Sequence, residues 1–232
     1  MNTLTNWPRL YQALAPRSLD EVCGQDRAIA QIKGILATVG LGGNAVWING
    51  PSGHGKSLIA GLLAREFAAR EWITDMDAGR VTAGMIDGWE PIIRSLPLPL
   101  DGKEGRVFVL QEAHGLKPSV MRRLLVLLES LPRHVAFIFT TTRDGQDKLF
   151  EDQTDAGPLL SRCFEVRLNH AGMADPVAAY LHRRIPEVLG VNGQPLSWYK
   201  RKVQDAGNNV RKAVQDIVLA LVAQGAGSNG KD

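Results

Sequence analysis

The chain has 232 residues, of which 44% are hydrophobic and 22% charged, and a formal net charge of +3. That is the balance of an ordinary globular protein with room for one large domain or a medium one and a small one, and it permits nucleic-acid binding without arguing for it. Two cysteines, Cys23 and Cys163, are too few for a disulfide framework or a four-thiolate zinc site; no apolar run approaches the ~20 residues of a membrane span, and the start MNTLTNWPRL lacks a signal-peptide layout, so the expected place is the cytoplasm.

In chain order, Ala45-Val-Trp-Ile48 is a compact apolar run ending at Asn49-Gly50, and Ser57 to Arg70 repeats apolar residues at helical spacing. Arg106 to Leu110 is a second run, followed by a helical Pro118 to Leu131; Val135 to Phe139 is a third, and Phe164 to Leu168 a fourth. Runs this short and apolar on both faces suit strands of a parallel sheet covered by helices. Beyond residue 169 the strand signal stops. Asp175 to Leu189, Ser197 to Ala206 and Asn208 to Gln224 read as helices, with Asp175-Pro176 as a start and Gly190 and Gly207 as separators. The predicted fold is therefore α/β: a P-loop domain with a parallel sheet over 1–168 and a small three-helix lid over 169–224. Residues 225–232 are predicted to be a disordered tail.

Between the first run and the first helix lies Gly50-Pro51-Ser52-Gly53-His54-Gly55-Lys56-Ser57, a full match to the phosphate-loop pattern G-x-x-x-x-G-K-[ST] in the strand-to-helix context that it needs. Glycines let successive N–H groups turn toward phosphate oxygens, and the helix N-terminus adds its positive dipole end. Lys56 would neutralise the β- and γ-phosphates of ATP, and the Ser57 hydroxyl would hold Mg²⁺. The second run ends Leu110-Gln111-Glu112-Ala113-His114. A P-loop ATPase normally delivers here an Asp toward Mg²⁺ and then a Glu toward the attacking water. Glu112 stands as the water-polarising base, whereas Gln111 replaces the Asp: an amide accepts a hydrogen bond from a Mg²⁺-bound water but brings no charge, so weaker Mg²⁺ retention and slower hydrolysis are expected.

With these motifs in place the sequence resembles the AAA+ clamp loaders, the group of replication factor C small subunits and bacterial DNA polymerase III loader subunits. Leu14 to Gln25, with Val22 inside it, looks like the segment that closes over the adenine in that family, and Gln111-Glu112-Ala113-His114 looks like its D-E-A-(H/D) box. Phe137 to Thr142 resembles the sensor-1 strand, with Thr142 checking the γ-phosphate. Ser161-Arg162-Cys163 reproduces the S-R-C motif, whose Arg is a finger into the neighbouring subunit's ATP site, and Gly207 to Val214 is similar to the sensor-2 helix, with Arg211 touching the γ-phosphate. A guanidinium suits both roles because its fixed fork and permanent charge match phosphate oxygens.

The resemblance implies assembly with copies of itself or related AAA+ subunits in a ring or spiral, contact with the DNA backbone, and a sliding clamp as a further partner. Lys117, Arg122, Arg123 and Arg80 are the candidates for phosphate contacts, which carry no sequence code and weaken with salt. Three departures stand out. A basic residue expected three positions before Glu129 is Val126; the chain stops after the lid, without the collar domain of clamp loaders; and the zinc-binding insert of the bacterial subunits is absent. Alternative readings are a collar-less AAA+ regulator that oligomerises on DNA, of the transposition or recombination type, or a hydrolysis-deficient subunit that lends Arg162 to an active partner; a small-molecule kinase with the same phosphate loop would explain neither the lid nor Ser161-Arg162-Cys163.

Overall fold

A computed structural model describes residues 7–152, 155–190 and 193–228. The chain divides into two compact units, one made of Arg27–Pro51 and Lys56–Leu168 and the other of the described residues up to Asp26, the stretch Ser52–Gly55 and those from Asn169 onward.

The first unit is built on five parallel strands: β1 (Ala45–Asn49), β2 (Ala68–Asp77), β3 (Gly105–Gln111), β4 (Val135–Thr141) and β5 (Cys163–Arg167). Their spatial order is β2-β3-β4-β1-β5, with Asn49 opposite Thr141 and Asp77 opposite Gln111. Because every strand runs the same way, the segments that follow β1, β2, β3 and β4 all emerge at one edge of the sheet. The helices are α2 (Asp26–Thr38), α3 (Lys56–Phe67), α4 (Ala83–Arg94), α5 (Pro118–Glu129), α6 (Arg143–Asp152) and α7 (Ala156–Ser161).

Every residue of β1 and β4 is buried, as expected for central strands of a sheet covered on both sides. One face packs on α4, α5 and α7 through Trp47, Phe108, Phe137 and Phe139. Their rings run on from Trp89 of α4: Trp89–Phe108 at 4.7 Å between centroids, Phe108–Phe137 at 4.9 Å, Phe137–Phe139 at 6.1 Å and Trp47–Phe139 at 5.4 Å. Burial of each ring at roughly 2–3 kcal/mol, plus up to ~1 kcal/mol per favourable ring pair, makes this face a large contributor to the unit's stability. The Trp47 indole N–H, wholly buried, donates to Gln146 Oε1 of α6 at 3.0 Å, so the ring enters the core without losing a hydrogen bond.

The four predicted strands are present, and a fifth was not foreseen. The helix read as Ser57 to Arg70 ends at Phe67, and β2 starts at once with Ala68. Ala68-Ala69 continue the helical apolar pattern, after which Arg70 and Glu71 are exposed, Trp72, Ile73 and Thr74 are half-buried, and Asp75 and Asp77 are exposed. β2 is an edge strand with a register irregularity between Ala68 and Ile73 and charged residues exposed along it, so the sequence shows no clean apolar run.

The second unit contains α8 (Ala174–Leu189), α9 (Leu196–Asp205) and α10 (Val210–Ser228), and with them α1 (Trp7–Leu14). Leu10 and Leu14 of α1 share a core with Val177, Leu181, Tyr199, Val203 and Ile217, and Tyr180 donates its hydroxyl to Leu14 O at 3.0 Å. The N-terminal helix thus packs with the three C-terminal helices, whereas the sequence reading put it in the P-loop domain. α8 ends on Gly190 in the left-handed region (φ 64°), whose N–H returns to Pro186 O at 2.8 Å, the stop that was expected there. α10 continues to Ser228, four residues into the stretch read as a tail, and residues 229–232 lie outside the described residues.

Candidate nucleotide site

In the sheet unit, β1 ends at Asn49 and α3 begins at Lys56, so Lys56 and Ser57 are the first two residues of a helix with no acid in its first turn. That end presents N–H groups that no carbonyl within the helix can reach, together with the positive end of the helix dipole. Lys56 is buried, and its ammonium donates to Gly50 O at 2.9 Å and Pro51 O at 3.0 Å, which draws the charge back into the loop. Ser57 is exposed. A helix N-terminus, a lysine ammonium and a hydroxyl make a donor set that fits a polyphosphate with its Mg²⁺.

At the same sheet edge, β3 delivers Gln111 and Glu112, with β4 between it and β1. Glu112 adopts φ 54°, ψ 56°, a left-handed conformation uncommon for a residue with a side chain, and turns the chain out of the strand into the short 3₁₀ turn Ala113–Gly115. Its N–H donates to Thr140 Oγ1 at 3.2 Å and its carbonyl accepts from Gly115 N at 2.8 Å. His114 Nδ1 stands 3.5 Å from Glu112 Oε2 and 3.3 Å from Thr141 Oγ1. Gln111 is held at both ends of its amide: Oε1 accepts from Thr140 Oγ1 at 2.8 Å, and Nε2 donates to Asp75 Oδ1 of β2 at 3.1 Å. The Thr142 hydroxyl accepts from Gly145 N at 3.1 Å, capping α6. Lys56, Ser57, Gln111, Glu112 and Thr142 therefore stand at or beyond strand ends on one edge of the sheet.

Arg162 does not join them. It precedes β5, at the opposite edge of the sheet, and the five residues of that strand span about 16 Å. There it donates to Pro158 O at 2.9 Å and pairs with Glu129 Oε1 at the end of α5. Cys163 beside it donates its thiol to Leu159 O at 3.3 Å, and burial pushes that thiol up to about 12. Of the four candidate DNA contacts, Arg122 pairs with Asp155 at 3.0 Å and Arg123 with Asp87, while Lys117 and Arg80 are exposed at the start of α5 and the end of the 3₁₀ turn after β2. Val126 is 69% exposed on α5, a bare apolar side chain where the resemblance leads one to expect a cation.

In the helical unit, the loop tip Ser52–Gly55 meets the residues around the start of α10. Val210 N donates to Gly53 O at 3.1 Å and Asn209 Nδ2 to Ser52 O at 3.3 Å. Asn209 also caps α10 by accepting from Lys212 N at 3.0 Å. His54 is buried, with Nδ1 at 3.0 Å from Ser52 O and Nε2 at 3.0 Å from His170 Nδ1. Gln25 pairs both ends of its amide with the backbone of Asn169, at 2.7 and 3.0 Å. Val22 closes the 3₁₀ turn Leu19–Glu21, and Arg211 is exposed as the second residue of α10. Asp75, Thr140, Asn209 and His170 were not anticipated: the first lies on the unforeseen strand and the others act through contacts remote in sequence.

Residues 45–170 match the AAA domain family, in its dynein-related subfamily. The chain belongs to the AAA domain family. The resemblance to clamp-loader subunits is also borne out, at low identity. The AAA chain is 27% identical over 157 residues to DNA polymerase III subunit gamma/tau of Mycobacterium tuberculosis, covering 57% of this chain and 27% of that protein. It is 25% identical over 238 residues to the replication factor C small subunit of Archaeoglobus fulgidus, covering 100% of this chain and 66% of that one. Among solved structures, RuvB of Thermotoga maritima superposes with a TM-score of 0.55 over 88% of this chain and 73% of its own, at 20% identity, a likeness of fold. Among the described residues no group of three or more His, Cys, Asp or Glu is placed to hold a metal ion, and no helix is long and apolar enough to cross a membrane.

Proposed function

We propose that this AAA domain binds ATP with Mg²⁺ and works as one subunit of a clamp-loader-like ring or spiral on DNA, ATP favouring assembly and hydrolysis favouring release. The observation that carries this reading is the common sheet edge that gathers Lys56 and Ser57, Gln111 and Glu112, and Thr142. In this scheme Lys56 and the loop backbone grip the phosphates, Ser57 faces Mg²⁺, Glu112 polarises water and Thr142 contacts the γ-phosphate; Arg211 and Val22 keep the roles that the resemblance implies. The position of Arg162 at the far edge of the sheet supports a role in a neighbour's site. The relatives' names, DNA polymerase III subunit and replication factor C small subunit, support DNA as the setting.

The hydrolysis-deficient reading has an observation of its own. Both ends of the Gln111 amide are bonded within the protein, and no carboxylate stands at position 111. The two readings separate in one experiment: steady-state ATP hydrolysis of the purified chain with and without primed DNA, together with binding of a fluorescent ATP analogue, beside Lys56→Ala and Arg162→Ala. Loss of binding in Lys56→Ala, with DNA-stimulated turnover that Arg162→Ala abolishes, is the expected result. Binding without turnover in any form would establish the subunit that only lends its finger, and equal binding by wild type and Lys56→Ala would remove the nucleotide reading altogether.

A further inference from the structure

The Asp75 carboxylate and the Gln111 amide form a hydrogen-bonded pair across two neighbouring strands. β2 and β3 are parallel, with Asp75 opposite Val109 and Asp77 opposite Gln111. Alternate residues of a strand share a face, so the side chains of 75 and 111 project on the same side of the sheet, one step apart along the strands. A carboxylate accepts hydrogen bonds and cannot donate, which fixes the amide: Nε2 toward Asp75 and Oε1 toward Thr140. Thr140 then donates to Gln111 and accepts from Glu112 N. The three bonds run head to tail, from the Glu112 N–H through the Thr140 hydroxyl and the Gln111 amide to the Asp75 carboxylate, and bonds in such a chain polarise one another.

We propose that Asp75 supplies the negative charge that Gln111 lacks, acting through the Gln111 amide as the positioning residue for the water shell of nucleotide-bound Mg²⁺. Charge on the amide nitrogen side raises the electron density of Oε1. That oxygen gives one lone pair to Thr140 and keeps a second for a Mg²⁺-bound water. The pair also accounts for the glutamine. An aspartate at 111 would set a second carboxylate near Asp75 on the same face of neighbouring strands, two like charges side by side, whereas Gln111 leaves the cluster with one. The charge usually found on β3 has moved one strand outward, to the sheet edge.

This inference rests on the ATP reading, and its test keeps the two apart. The readout is the affinity of a fluorescent ATP analogue for the full chain, measured in EDTA and across a Mg²⁺ titration, so that binding is followed without turnover. Asp75→Asn is expected to leave the EDTA affinity unchanged and to cut the gain brought by Mg²⁺ by roughly tenfold, the scale of one charge lost near a divalent ion across a water layer. Gln111→Asp added to Asp75→Asn restores one carboxylate to the cluster and should restore the gain; thermal unfolding of each variant checks that the fold survives. An Asp75→Asn variant with the wild-type Mg²⁺ dependence overturns the inference while the ATP reading stands, and so does a double variant that is no better than Asp75→Asn. A wild-type chain that binds no nucleotide overturns both.

Discussion

Gly53→Ala tests the loop tip most directly, because its cost can be assembled from separate parts. Gly53 has φ 78°, and an L-residue in the left-handed region costs about 1–2 kcal/mol. The added Cβ would also stand 2.1 Å from Asn209 Oδ1, 2.4 Å from its Cγ and 2.5 Å from its Nδ2, all inside van der Waals contact. The Asn209 side chain has to leave, and with it go the bond to Ser52 O and the cap on Lys212 N. Loss of an Asn cap costs about 1 kcal/mol, so Gly53→Ala should destabilise by about 2–3 kcal/mol. At 2–4 °C per kcal/mol for a protein of this size, the melting temperature falls by roughly 4–12 °C. Asn209→Ala alone should cost only the cap, about 1 kcal/mol. In the double variant the cap is already gone and the methyl introduced by Gly53→Ala meets no amide, so the backbone term alone is added. Urea unfolding of the four proteins followed by circular dichroism gives the coupling, expected near 1 kcal/mol. Strict additivity, with the double variant losing the full sum of the singles, would refute the argument, since the two residues would then not compete for the same space.

Two further perturbations address the core. Trp47→Phe removes the indole donor and leaves buried Gln146 Oε1 without it; a loss of about 2 kcal/mol in thermal or urea unfolding is expected, and a loss below ~0.5 kcal/mol would mean that the bond contributes nothing. The cysteines give a pH signature. Burial pushes Cys23 up to about 11 and Cys163 up to about 12, so neither thiol should react with iodoacetamide at pH 8 until the chain unfolds. A raised thiol pKa means that the folded chain keeps its protons where the unfolded chain, near ~8.5, has lost them. The stability linked to these groups is therefore full below pH ~8.5 and falls as pH rises toward the folded values. Unfolding free energies at pH 8 and pH 10.5 should differ more for wild type than for a Cys23→Ala, Cys163→Ala variant, and equal differences would show that the thiols do not contribute.

How much of this was legible in the sequence depends on where each residue gets its partners. β1, β3 and β4 announce themselves because apolar side chains must fill the faces of a covered sheet, β5 more weakly through the alternation of Phe164, Val166 and Leu168, and the phosphate loop because glycine spacing and Lys56-Ser57 are local requirements. β2 does not: at the sheet edge, with Arg70 and Glu71 exposed and Ala68-Ala69 continuing a helical pattern, it offers no period to read. Without β2, Asp75 has no place, and Gln111 looks like a plain loss of charge. The grouping of α1 with the C-terminal helices is likewise written nowhere in Trp7 to Leu14, since Tyr180, which bonds Leu14 O, lies 166 residues away. Arg162 was recognisable as a motif residue, but its distance from the chain's own phosphate loop is a property of strand direction.

The short helix α6 is pinned twice within its first turn. The Thr142 hydroxyl holds the N–H of Gly145, and Gln146 holds the indole of Trp47 in the strand that feeds the phosphate loop. The end of β4, the start of α6 and the middle of β1 thus form a closed brace. A push on Thr142 is delivered to a fully buried tryptophan in a close-packed face, which has nowhere to yield. Such a brace behaves as an anvil and not as a spring. If Thr142 contacts the γ-phosphate as proposed, work done there would leave the strand ends in register and be spent on whatever else touches the nucleotide.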